Sequence, residues 1–106
     1  MSSLQRYADR RVLITGGGSG IGQATVLRML EEGGRVAAAD VSESGLADTV
    51  AKAGDRRDRL STVVVDVGDE DSVRRGVTDA VVALGGLDTL VNAAGILRMG
   101  PTDALS

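Results

Sequence analysis

The chain has 106 residues, 42% of them hydrophobic, and a formal charge of −3. That is enough for one small domain and too little for two. It has no cysteine and no histidine, which excludes disulfides, thiolate metal sites and Ser-His-Asp chemistry, and the mildly acidic balance without basic clusters argues against nucleic acid as a partner. No apolar run approaches the roughly 18 residues needed to span a bilayer, and Met1-Ser2-Ser3-Leu4-Gln5-Arg6-Tyr7 lacks a signal-peptide core, so the expected setting is cytoplasmic with no membrane partner.

Residues 1–10 read as a lead-in. Arg11-Val12-Leu13-Ile14 is a short β-branched run and predicts the first strand. Thr15-Gly16-Gly17-Gly18-Ser19-Gly20-Ile21-Gly22 follows, too rich in glycine to serve packing and suited to a tight turn or a close approach. A helix is expected over residues 20–32, closed by Gly33-Gly34. Strand, glycine turn and helix N-terminus together form an anion site, in which backbone N–H groups and the helix dipole converge on a phosphate without a charged side chain.

Arg35-Val36-Ala37-Ala38-Ala39-Asp40 predicts a second strand, apolar throughout as in a strand covered on both faces. A helix over about residues 43–54 carries Leu46, Val50 and Ala53 as its apolar stripe, and Asp55-Arg56-Arg57-Asp58-Arg59 reads as a solvated connection. Leu60 to Asp66 predicts the third strand. A helix over residues 70–84 has Asp69 as N-cap and Val73, Val77, Ala80, Val81 and Leu84 on one face, with Gly85-Gly86 as its stop. Leu87 to Asn92 predicts the fourth strand, and Ala93-Ala94-Gly95 turns away from it. Residues 96–106 hold the one proline, Pro101, and read as the start of a further unit.

Four strands alternating with three helices predict an α/β fold: the first half of a Rossmann-like, doubly wound parallel sheet in order 3-2-1-4, with flanking helices. Ligands of such sheets bind at the carboxyl ends of the strands, where the glycine turn, Asp40, Asp66 and Asn92 all fall. Asp40 stands at about the 20-residue distance at which an acidic side chain reaches the adenosine ribose. Without the glycine turn, a turn or capping aspartate is the competing reading for it, and the glycine turn favours the ribose role.

The glycine spacing discriminates among nucleotide sites. The residue after Gly22 is Gln23, not the lysine of a phosphate loop, and Gly-x-Gly-x-x-Gly is met in no register. Thr-Gly-x-x-x-Gly-Ile-Gly fits, and it resembles the pattern of the short-chain dehydrogenase/reductase family. Asp66-Val67 resembles that family's adenine-contacting Asp-Val pair, and Asn92-Ala93-Ala94-Gly95 its Asn-Asn-Ala-Gly motif, with Ala93 a departure that loses one side-chain hydrogen bond.

The resemblance runs from about residue 11 to the end of the chain. It implies hydride transfer between nicotinamide and a carbonyl or secondary alcohol, and a cofactor site formed by Gly16, Gly18, Ser19, Gly20, Ile21, Gly22, Asp40, Val41, Asp66, Val67, Asn92, Ala93, Ala94 and Gly95. Ser19 and Val41 occupy the places where NADP-preferring members often carry a basic residue, so NAD is the implied cofactor.

The family's catalytic serine, tyrosine and lysine cannot be placed here. The one tyrosine is Tyr7, with Arg11 at the fourth position after it, and the one lysine is Lys52. The resemblance therefore implies a single partial NAD-binding domain over 1–106, with no catalytic or metal residue in it, a substrate pocket built elsewhere, and homo-oligomer formation left open. Two other readings stand beside this one. A nucleotide-sensing or interaction module would keep the site without catalysis, and a methyltransferase using S-adenosylmethionine would carry an acidic residue where this chain has Thr15.

Overall fold

In the computed structural model, residues 9–18 and 20–93 are described. The expected elements at Ser19, Ala94 and Gly95, and the further unit after Ile96, lie outside them.

The elements run β1 (Arg11–Thr15), α1 (Gly20–Glu31), β2 (Arg35–Asp40), α2 (Glu43–Ala53), a 3-10 stretch (Gly54–Arg59), β3 (Leu60–Val64), α3 (Glu70–Leu84) and β4 (Thr89–Asn92). The four strands form one parallel sheet in the order β3-β2-β1-β4, as the alternation of elements predicts. Thr15 pairs with Ala39 and with Asn92, and Asp40 with Val64, so the carboxyl ends of all four strands share one edge.

Period-two side chains of the central strands divide the core in two. Val12, Ile14, Val36 and Ala38 pack with Val26 and Leu30 of α1 and Leu46 and Ala53 of α2 on one face. Leu13, Ala37 and Ala39 pack with Ala80 and Leu84 of α3, and with Val65, on the other. This two-sided cover explains why β2 is apolar along its length. β4 forms one margin of the sheet, and its Leu90 is exposed.

Local signals place the ends. Ser42 caps α2 by accepting from the Gly45 N–H, and Asp69 caps α3 by accepting from the N–H groups of Asp71 and Ser72. Gly33 and Gly85 adopt φ of 92° and 80° where α1 and α3 stop. Arg11 ties the amino end of β1 to the loop before β4 by donating from Nε and Nη2 to the Asp88 carboxylate and from Nη1 to the Gly85 carbonyl.

Three details differ from expectation. The buried stripe of α2 is Leu46, Thr49 and Ala53, with Val50 half-buried, because Thr49 satisfies its hydroxyl internally. On α3 the buried line is Gly76, Ala80 and Leu84, while Val81 is exposed; Val65, just after β3, occupies the space above Gly76. The charged connection after α2 winds into a 3-10 stretch, and Arg59 at its end donates to the Leu30 carbonyl near the close of α1. Among the described residues, no helix is long and apolar enough to cross a membrane.

Candidate nucleotide site

The site begins with the turn between β1 and α1. Gly16 has φ 75° and Gly20 has φ 55°, a left-handed backbone open to glycine at little cost. Three further glycines are there for space. A Cβ on Gly22 would fall 1.8 Å from the Gly16 carbonyl oxygen, one on Gly17 2.8 Å from the Ala38 Cβ, and one on Gly18 2.8 Å from an Asp40 carboxylate oxygen. The turn therefore folds back on the first turn of α1 and lies flat against β2. A Cβ on Gly20 would meet nothing within 4 Å, so the outer side of the turn, at the helix N-terminus, is open. Backbone N–H groups at the positive end of a helix dipole, on a face where Gly20 has no Cβ, are the kind of donors that suit a phosphate.

Asp40 ends β2 half-buried, with both carboxylate oxygens already engaged. Oδ2 accepts from the Gly18 N–H at 2.9 Å and Oδ1 from the Ser42 N–H at 3.0 Å. The turn role and the ribose role are thus compatible, since a carboxylate offers about four lone-pair sites and two remain. Ser42 and Gly45 were not among the expected site residues, yet a Cβ on Gly45 would fall 2.6 Å from the Gly18 carbonyl oxygen, so α2 packs directly behind the turn.

The remaining residues complete the edge. Val65 N–H donates to the Asp40 carbonyl and carries the chain on to Asp66, whose N–H donates to Ser72 Oγ and whose Oδ1 accepts from the Gly68 N–H. Ile21, Val41 and Val67 are 45%, 65% and 47% exposed. Val41 and Val67 follow neighbouring strands at the same edge, apolar surfaces suited to the faces of a purine. Asn92 ends β4, and its Oδ1 accepts from Thr15 Oγ1 at 2.9 Å, which links the two strands that flank the sheet's reversal. Ala93 is fully buried.

Behind the turn, a polar cluster joins α1 to α2. Gln23 Nε2 donates to Asp48 Oδ2 and Thr49 Oγ1, and Lys52 Nζ donates to Asp48 Oδ2 at 2.9 Å and to Gln23 Oε1. Hydrogen bonds from Lys52 and Gln23 hold the Asp48 carboxyl below the usual carboxylate range. Lys52 thereby bridges α2 to α1 at the surface. Hydrophobic periodicity carried no signal for Gln23, Thr49 or Gly45, because their partners are distant in sequence: side chains of α2 for Gln23, and backbone atoms of the glycine turn for Thr49 and Gly45.

The short chain dehydrogenase family profile matches residues 10–106. Levodione reductase of Leifsonia aquatica is 40% identical over 99% of this chain, which covers 40% of that protein. A crystal structure of levodione reductase superposes with a TM-score of 0.76, covering 80% of this chain and 34% of that one. The structure of a 3-ketoacyl-(acyl-carrier-protein) reductase from Brucella melitensis, complexed with NADH, superposes with a TM-score of 0.71 at 29% identity, covering 78% of this chain and 33% of that one. The chain thus spans 40% of the length of levodione reductase and 35% of that of the 3beta-hydroxysteroid dehydrogenase 2 of Eggerthella lenta, a second relative it matches. Matched motifs, sheet order and superposition agree, and the chain belongs to the short-chain dehydrogenase family.

Proposed function

We propose that the chain is the NAD(H)-binding portion of an oxidoreductase that transfers hydride between nicotinamide and a carbonyl or secondary alcohol. The observation that carries this reading is the Asp40 carboxylate bonded to the Gly18 N–H, which holds an acceptor for ribose hydroxyls beside the turn whose outer side and helix N-terminus would take the pyrophosphate.

In this assignment Gly16, Gly18, Ser19, Gly20, Ile21 and Gly22 surround the pyrophosphate, and backbone donors at the start of α1 stabilise its charge. The free lone pairs of Asp40 accept from the ribose hydroxyls, and a 2′-phosphate there would face a carboxylate with no basic neighbour to offset it, hence NAD over NADP. Val41 and Val67 flank the adenine, with Asp66 at its rim. Asn92, Ala93, Ala94 and Gly95 line the crevice beside β4, on the side of the nicotinamide. When bound, the nicotinamide supplies the hydride acceptor or donor.

Hydride transfer also needs a positioned acid/base, a contribution of about a hundred- to ten-thousand-fold. Asp40 and Asp66 belong to the adenosine end, so the proton relay and the substrate wall are assigned outside these residues.

Calorimetric titration with NAD, paired with an assay on a broad panel of secondary alcohols, tests the reading. Binding with background turnover is expected. Turnover abolished by a substitution within 1–106 would show that an acid/base had been overlooked, and absence of NAD binding would refute the site.

A further inference from the structure

Thr49 is a hydroxyl residue with 0% exposure, placed where α2 meets the glycine turn. Buried hydroxyls are costly unless bonded, and this one has partners on both sides. Oγ1 lies 2.8 Å from the Gly17 carbonyl oxygen and 3.1 Å from that of Gly45, and it accepts from Gln23 Nε2 at 2.9 Å. A hydroxyl has one proton, and the shorter contact directs it to Gly17. The bond therefore reaches across to a separate element and does more than close the helix's own turn.

The peptide unit it holds is the one whose other end Asp40 holds. Gly17 supplies the carbonyl and Gly18 the N–H that donates to Asp40 Oδ2 at 2.9 Å. In a planar trans peptide these two groups point in opposite directions, so Thr49 on one side and Asp40 on the other fix the rotation of the whole plane. Neither glycine has a side chain to resist that rotation. If the plane turns, Asp40 loses the one of its two backbone donors that lies in the turn, and only the Ser42 N–H, two residues along its own chain, still holds the carboxylate.

We infer that Thr49 is a positioning residue for nucleotide selection: by clamping the Gly17–Gly18 peptide it holds the Asp40 carboxylate in the orientation that accepts NAD and disfavours NADP. This rests on the NAD-binding reading above. Gln23, which donates to the same hydroxyl, keeps its proton directed at the turn.

The test compares Thr49→Val, which keeps the side-chain volume and removes the hydroxyl, with Thr49→Ser, which keeps the hydroxyl. Both are made in the full chain, with NAD and NADP affinities measured by calorimetry and exchange of the Gly18 amide followed by NMR without nucleotide. The valine variant leaves a buried carbonyl without its donor, and NAD affinity is expected to fall about tenfold, with NADP affected less, so that the preference narrows. Gly18 exchange should quicken in the valine variant alone, and the serine variant should retain the preference. A valine variant that melts lower but keeps the NAD-to-NADP ratio would overturn the inference, as would unchanged Gly18 exchange. Failure of the unmutated chain to bind NAD would overturn the nucleotide reading and this role with it, and the Gly18 exchange distinguishes that from failure of the clamp.

Discussion

Gly22→Ala is the sharpest single perturbation of the turn. The added Cβ would lie 1.8 Å from the Gly16 carbonyl oxygen and 2.5 Å from its carbon, where ordinary contact begins at 3.4 Å. The turn and α1 must therefore separate by about 1.6 Å, and the obstructing atoms are backbone, with no rotamer available to relieve them. Overpacking typically costs about 1–3 kcal/mol, and a backbone clash belongs at the upper end. About 3 kcal/mol is a large share of a domain's usual stability of roughly 5–15 kcal/mol and corresponds to a fall in Tm of about 15 °C. Gly20→Ala is the control. Its Cβ would meet nothing within 4 Å, leaving only the left-handed backbone at φ 55°, a cost of about 1 kcal/mol. Urea unfolding followed by circular dichroism reads both variants, and NAD and NADP titrations should show Gly22→Ala weakening the two together. A Gly22→Ala variant within about 0.5 kcal/mol of the parent and with unchanged NAD affinity would refute the close approach of turn and helix.

Gly76→Ala should destabilise α3 against the sheet, because its Cβ would fall within contact range of Val65 Cγ2, at 2.3 Å. Combining it with Val65→Ala should recover part of the loss, and strictly additive effects in denaturant melts would show that the two do not meet. Asp88 is held below the usual carboxylate range by hydrogen bonds from the Arg11 side chain and backbone. Its folded pKa lies below the unfolded value, so its contribution is present above about pH 4 and lost as pH falls through the folded pKa. Asp88→Asn should therefore melt lower than the parent at neutral pH, with the difference closing as the solution is made strongly acidic. A difference that persists at the acid end would contradict that linkage.

The fold was legible because each level of the sequence agreed with the next. The apolar run Val36 to Ala39 needs cover on both faces, Asp69 caps the helix it precedes, and paired glycines stop α1 and α3 where they stand in the sequence. The gathering of the strand ends was legible for the same reason: parallel order carries Thr15, Asp40 and Asn92 to one edge.

Contacts between elements distant in sequence leave no such mark in the sequence. Thr49 interrupts an apolar stripe and reads as a surface residue until Gly17 is seen opposite its hydroxyl. Gly45 and Gly76 read as weak points in helices, whereas each marks a place where a turn or a valine comes too close for a side chain. Asp40 had two competing readings, turn residue and ribose acceptor. Its bonds to Gly18 and Ser42 establish the first and leave acceptor capacity for the second.

Whether Asp40 stands beside the ribose and selects NAD is decided by calorimetric titration of NAD and NADP into the unmutated chain and into Asp40→Ala. The unmutated chain should bind NAD more tightly than NADP, and the variant should show a narrowed difference, since the carboxylate that opposes the 2′-phosphate is gone. Equal affinity for the two nucleotides in the unmutated chain, or a preference for NAD that survives the loss of Asp40, would contradict that role.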